Sequence, residues 1–140
     1  MQIILANNNH SYNVVAFFKD HLNCKNTGIY SQEFLCSDGV QAAIRRGQLM
    51  IAIENGEIIG AIRFYKKKTK NCISLYQFAI RKDFRGQGLF KQMLKPLNSS
   101  PIHVLCPIDS EFNEYYCKTG WLLTENDGQY NTWMIEESIM

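Results

Sequence analysis

Residues 75–94, LYQFAIRKDFRGQGLFKQML, constrain the fold of this chain more than any other stretch. Leu75 to Ile80 form an apolar, aromatic-rich run suited to a buried strand, followed by a short charged turn, Arg81 to Arg85. Gly86 and Gly88 come next, and then Leu89, Phe90, Met93 and Leu94 fall at helical spacing among Lys91, Gln92 and Lys95. A strand that passes through a glycine turn into the first turn of a helix leaves several backbone N–H groups without an intrahelical acceptor. With the positive end of the helix dipole and the surrounding Arg and Lys side chains, those donors make an anion site. The stretch reads as a cradle for phosphate or pyrophosphate.

Two common phosphate binders fit poorly. A P-loop needs Lys and Ser/Thr after its last glycine, and here Leu89 and Phe90 follow Gly88. A dinucleotide fingerprint needs a third Gly or Ala where this chain has Lys91, and it opens a parallel βαβ unit. What precedes the glycines here is an antiparallel meander instead. Leu49 to Glu54 and Glu57 to Tyr65 are strand-like runs joined by Asn55-Gly56, the dipeptide preferred in tight hairpins. Lys66, Lys67, Lys68 and Lys70 crowd a second turn before the strand Cys72 to Ile80. Alternation along that strand puts Ser74, Tyr76, Phe78 and Ile80 on one face and Leu75, Gln77 and Ala79 on the other.

Upstream, Met1 to Leu5 predict a short strand, and Asn7-Asn8-Asn9 its exit loop. Ser11 can cap a helix to about Leu22 whose apolar face is Val14, Val15, Phe17, Phe18 and Leu22. A polar connection, Cys24 to Tyr30, leads to helical stretches at Gln32 to Leu35 and, capped by Ser37 or Asp38, at Val40 to Arg46, with Gly47 as the stop. Downstream, Pro96 keeps the helix after Gly88 short. A strand at Ile102 to Cys106, a helix from Asp109 or Ser110 to Lys118, and a hairpin of Trp121 to Thr124 with Tyr130 to Ile135 complete the chain. This is an α+β pattern without repeat or linker, so residues 1–140 are expected to form one domain.

With 46% apolar and 20% charged residues the chain has the balance of a soluble globular protein, and no run approaches the roughly 18 apolar residues of a membrane span. The start, MQIILANNN, lacks the basic region of a signal peptide. Five scattered cysteines without a C-x-x-C pair fit a reducing compartment, so a cytoplasmic protein without a metal is expected. The net charge of +2 hides an asymmetry: up to Ser100 there are 14 Lys and Arg against 6 acids, and from Pro101 only Lys118 against 7. A basic side for an anionic ligand and an acidic side for a cation are one reading; two solvated faces are the other.

At this point a resemblance becomes specific. Ile80 to Lys91, IRKDFRGQGLFK, resembles the acyl-coenzyme-A signature of the GNAT superfamily of N-acetyltransferases, an Arg or Gln, two residues, Gly, one residue, then Gly or Ala. Arg85, Gly86, Gln87 and Gly88 match, while Phe90 departs from the small residue usual at the last position, which its side chain allows if it turns into the core. Asn113 to Trp121, NEYYCKTGW, is similar to the family's later motif, with Tyr115, Tyr116, Lys118, Gly120 and Trp121 in the matching places. The resemblance implies a GNAT-like three-layer α/β/α fold, with a mixed, mostly antiparallel twisted sheet of six to seven strands and about four helices. It implies acetyl-CoA as acyl donor, held by Arg85, Gly86, Gln87, Gly88, Leu89, Phe90 and Lys91 at its pyrophosphate. The backbone of Phe78, Ala79 and Ile80 would pair with the pantetheine arm like an added strand, the Ile80 N–H lying near the thioester oxygen. Arg81 and Lys82 can add charge.

Acetyl transfer to an amine also needs an acid for the departing thiolate and a neutral amine. The resemblance gives Tyr116 as the acid, since a phenol with a pKa near 10 holds its proton at neutral pH; Tyr115 reads as a core residue. Many relatives place a Glu on the strand before the glycine turn, but no Asp or Glu lies between Glu57 and Asp83 here. Glu33, Glu54, His103 and Glu125 are the candidate bases, although a lone His on an apolar strand is more often packed, and Cys117 reads as an ordinary helix residue. In this family the amine usually enters near the first helices and the closing hairpin, where Glu125, Asp127, Glu136 and Glu137 fit a cationic acceptor, a small amine or a lysine-bearing peptide. The expected function is an N-acetyltransferase working by direct attack in a ternary complex, as monomer or homodimer. A non-catalytic acyl-CoA sensor is the alternative that the missing strand carboxylate favours. Nucleic-acid binding through Lys66 to Lys70 is the weaker reading of a solvated hairpin tip.

Overall fold

The computed structural model describes residues 1–22 and 36–136. The expected helix at Gln32 to Leu35, the connection at Cys24 to Tyr30, the candidate base Glu33 and the acidic Glu137 lie outside the described residues. Among the described residues seven strands form one sheet: β1 (Gln2–Leu5), β2 (Leu49–Glu54), β3 (Glu57–Lys66), β4 (Ile73–Ile80), β5 (Ile102–Pro107), β6 (Leu122–Asn126) and β7 (Tyr130–Ile135). Their order is β1-β2-β3-β4-β5-β7-β6, and every neighbouring pair is antiparallel except β4 with β5. Four α-helices are seen among the described residues: α1 (Ser11–His21), α2 (Ser37–Arg45), α3 (Leu89–Leu94) and α4 (Phe112–Lys118).

The sheet separates two cores, as the expected three layers require. On one face Val14, Phe17 and Phe18 of α1 and Val40, Ala43 and Ile44 of α2 bury Ile51, Ala61 and Ala79. On the other, Phe90, Met93 and Leu94 of α3 and Tyr116 of α4 pack over Ile62, Leu75, Val104 and Trp133. Gly60 lets α3 come close, because a Cβ there would stand 2.8 Å from Met93 Sδ.

Local chemistry explains most boundaries. Asn55 and Gly56 both have positive φ (52° and 77°), the backbone a two-residue hairpin demands. Gly47 ends α2 at φ 68°. After α3 the chain tightens into a 3-10 turn, Lys95–Leu97, in which Pro96 sits without breaking an α-helix. The start of α1 differs from expectation. Asn7 to Asn9 are no plain loop: Asn8–His10 is a 3-10 turn, Asn7 Oδ1 accepts from the Asn9 N–H (2.9 Å), and His10 Nδ1 accepts from the Asn7 N–H (3.0 Å). Ser11 is thus the first residue of α1 and no cap. Nor does Ser37 or Asp38 cap α2, which starts after Cys36 without a side-chain cap.

The main correction concerns the faces of β4. Opposite β3, Arg63 pairs with Gln77 but Phe64 with Leu75, so Tyr76 is an extra, bulged residue. A bulge reverses the alternation. Leu75 therefore shares a face with Phe78 and Ile80, in the core beneath α3 and α4, while Ala79 joins the core of α1 and α2.

Candidate active site

The bulge coincides with the place where β4 and β5 part. They pair in parallel only at Ile73 with Ile102, Ser74 with His103 and Leu75 with Val104. Beyond Leu75, β4 continues to Ile80 along β3, and β5 continues to Pro107 along β7. Between them is a wedge with no strand pairing among the described residues.

Backbone direction in the wedge follows from two hydrogen bonds. The Arg81 N–H donates to the Ile59 carbonyl of β3 (2.8 Å). Because successive residues of a strand point their backbone groups to opposite sides, Ala79 also faces β3, whereas Phe78 and Ile80 direct N–H and C=O into the wedge. Across it, the Ile108 N–H donates to the Gln129 carbonyl next to β7 (3.1 Å), so Leu105 and Pro107 face the wedge. Pro107 has no N–H, and its carbonyl accepts from the Ser110 N–H (3.0 Å) and Asn113 Nδ2 (2.8 Å). The Ile80 carbonyl accepts from Arg85 Nε (2.8 Å). The Phe78 N–H and C=O and the Ile80 N–H remain for a ligand, while the Leu105 N–H belongs to the last rung of the β4–β5 ladder, opposite Leu75. Of the three residues expected to pair with an extended ligand, Phe78 and Ile80 are oriented for it; Ala79 is turned to β3.

The glycine turn closes the wide end. Gly86 and Gly88 have φ of 74° and 80°, and nothing lies within 4 Å of where a Cβ would stand on either. Gly88 is the N-cap of α3, and the first intrahelical bond runs from the Gln92 N–H to its carbonyl. The N–H groups of Leu89, Phe90 and Lys91 thus have no acceptor within the helix. Gln87 Nε2 donates to the Asp83 carbonyl (3.0 Å), bracing the turn. Arg81 does not add free charge: its guanidinium is paired with Asp83 (2.8 Å) and Glu57 (2.9 Å) and lies over the Phe84 ring. Phe90 turns inward, stacked on Phe78 (ring centroids 4.5 Å) and near Trp121 and Tyr115.

On the far side of the wedge stands α4. Tyr116 is 2% exposed, wedged edge-on against Trp121 (5.1 Å) and close to Trp133 (6.0 Å). Burial first, then the neighbouring Cys106 and Tyr115, hold its hydroxyl well above the ordinary phenol pKa, so it stays protonated throughout the neutral range. Tyr115 is the more exposed of the two, with its ring partly covered by Phe90. Lys118 reaches an exposed ion pair with Glu114 (2.7 Å).

Sequence reasoning missed what holds α4. Asn113 Nδ2 donates to the carbonyls of Pro107 (2.8 Å) and Ser110 (2.9 Å), and its Oδ1 accepts from Trp133 Nε1 (2.9 Å) and Asn131 Nδ2 (2.9 Å). One amide ties β5, α4 and β7 together, three residues before Tyr116. Asn113→Ala is expected to cost about 2–3 kcal/mol, because the buried Trp133 N–H loses its acceptor; urea unfolding measures it. The other candidates scatter. Asp127 Oδ1 accepts from the Gln129 and Tyr130 N–H groups, so this carboxylate serves the turn. Cys117 is exposed on α4, and Glu54 ends β2 opposite Glu57 at the β2–β3 turn, two strands from β4. His103 is half-buried beside Ser74 and is kept neutral chiefly by burial, then by Lys67 and Lys70 against Glu125.

A wedge between parting parallel strands, with a glycine turn at its mouth and a buried phenol beyond, defines an acyl-transfer fold. The sequence matches the model of the Acetyltransferase (GNAT) family over residues 15–97, and the chain belongs to that family of acyltransferases. The match ends before α4. No curated protein matches the sequence. Among solved structures the fold is similar to PaiA N-acetyltransferase from Thermoplasma acidophilum, in complex with coenzyme A (TM-score 0.76, 15% identity, 96% of this chain and 98% of that one). It is also similar to yncA from Salmonella typhimurium with its cofactor acetyl-CoA (0.71, 13%, 97% and 93%). A third is diaminobutyrate acetyltransferase EctA from Paenibacillus lautus with its substrate and coenzyme A (0.65, 16%, 96% and 93%). At these identities the likeness is one of fold. Among the described residues no helix is long and apolar enough to cross a membrane, and no group of three or more His, Cys, Asp or Glu side chains could hold a metal.

Proposed function

We propose that this protein transfers the acetyl group of acetyl-CoA to a primary amine by direct attack in a ternary complex. The observation that carries the reading is the set of backbone groups in the wedge, Phe78 N–H and C=O and Ile80 N–H, directly upstream of the open glycine turn. An amide-bearing pantetheine arm entering from the glycine turn would complete β4 there, meeting Ile80 first, and the thioester oxygen at its far end would meet the deeper Phe78 N–H, in place of the expected Ile80 N–H, as oxyanion donor. The N–H groups from Gly86 to Lys91 would receive the pyrophosphate, with Lys82, Arg85 and Lys91 adding charge. Arg85 also anchors the end of the strand through Ile80.

In the reaction the amine nitrogen forms a bond to the thioester carbon, the C–S bond breaks, the thiolate takes its proton from Tyr116, and the proton that the nitrogen releases passes through water and restores the Tyr116 phenol. No carboxylate stands on β4, so the amine enters in its neutral form and the rate rises with pH through the acceptor's own pKa. No fall from ionisation of Tyr116 follows below pH about 10, because its pKa is shifted upward. An acceptor screen with acetyl-CoA, following free thiol, tests the proposal. Amine-dependent thiol release supports it. Tight coenzyme A binding with no amine giving turnover supports the acyl-CoA sensor instead.

A further inference from the structure

The acceptor side of the sheet carries a cation that acetyl transfer leaves unexplained. Arg63 of β3 points to the same face as Ala61, toward α2, and is half-buried. Its guanidinium lies 4.5 Å from the centre of the Tyr76 ring. Gly39, in the first turn of α2, presents bare backbone to it: a Cβ there would stand 3.4 Å from each of the two Nη atoms. The titratable groups acting on Arg63 are Tyr76, Cys36 and a second cation, Arg46. Among the described residues no carboxylate pairs with it, Asp38 of the same helix turn included.

This is an unfavourable place for a lone guanidinium. It is partly stripped of water, Arg46 adds a weak like-charge repulsion, and it sits at the positive end of a helix that starts without a side-chain cap. Stacking on Tyr76 compensates weakly. An anion would answer all three at once, and a planar carboxylate fits the guanidinium fork best. The position gives the anion a role. Tyr76 is the bulged residue at which β4 leaves β5, so the Arg63 site borders the narrow end of the wedge on the α2 side, opposite the layer of α3.

We propose that Arg63 binds the carboxylate of the acceptor, which is therefore a free amino acid and no simple cationic amine. This rests on the acetyl-transfer reading of the wedge. The test uses the proteinogenic amino acids as acceptors, each beside its carboxamide, at saturating acetyl-CoA. At least one acid is expected to exceed its amide in kcat/KM by about tenfold or more, and Arg63→Met is expected to erase that ratio while Arg63→Lys keeps part of it. Equal rates for acid and amide across the panel would overturn the proposal, as would a ratio that survives Arg63→Met. Should the methionine variant fail to fold, the wild-type comparison and the lysine variant decide. Should no acceptor turn over, the failure lies with acetyl transfer, and calorimetry on the coenzyme-A-loaded protein decides about Arg63. Binding of an acid but not its amide upholds the site, and binding of neither refutes it.

Discussion

Tyr116→Phe is expected to lower kcat by about two to four orders of magnitude while leaving the Kd for coenzyme A unchanged. The ring is retained, so its contacts with Trp121 and Trp133 persist, and the substitution removes only a hydroxyl from a site that is 2% exposed. Relieving that desolvated hydroxyl should leave the urea midpoint equal or raise it slightly. Loss of turnover with retained stability and retained coenzyme A binding marks a proton donor. A core tyrosine without a chemical role would leave kcat within a few-fold of wild type. The upward pKa shift is consistent with donation: the group reaches the transition state still protonated, and it becomes a weaker acid in return.

Phe90→Ala is expected to cost about 3–5 kcal/mol of stability. This substitution would restore the small residue usual at that place in the family's signature, so the signature alone argues that it is harmless. The packing argues otherwise. The ring is 7% exposed, stacks on Phe78 and bridges toward Trp121 and Tyr115, joining the glycine turn to the strand beneath it and to α4. Stability of a domain is about 5–15 kcal/mol, so a loss of this size removes a large share of it. Urea unfolding measures the loss, and a change below about 1 kcal/mol would mean that the aromatic cluster relaxes into the cavity. Coenzyme A affinity is expected to fall with Phe90→Ala, because Phe78, whose backbone borders the wedge, loses its stacking partner.

The order of elements was legible from residue chemistry, because its signals are local. Asn55-Gly56 marks a hairpin, Gly86-Gln87-Gly88 marks a strand-to-helix turn, and Pro96 limits α3. The faces of β4 were misread because a bulge is set by pairing with β3, which no short window of sequence contains. One trace of it was present: Ser74 and Gln77, the polar residues of the strand, are three apart, an odd spacing that one face accommodates only with an inserted residue. Asn113 and Arg63 left no comparable trace. Their meaning comes from partners distant in sequence: Trp133 and Asn131 for the first, Gly39 for the second. Phe90 shows the reverse case, where a departure from a motif is explained once the side chain is seen to serve the core.

The central claim, that the pantetheine arm of acetyl-CoA completes β4 in the wedge, is tested most directly by amide hydrogen exchange at single-residue resolution. In the free protein Ala79, bonded to β3, is expected to exchange slowly, and Phe78 and Ile80 quickly. With acetyl-CoA bound, Phe78 and Ile80 should become protected and Ala79 should change little. Slow exchange at Phe78 and Ile80 without the cofactor, or fast exchange that acetyl-CoA leaves untouched, would contradict the account.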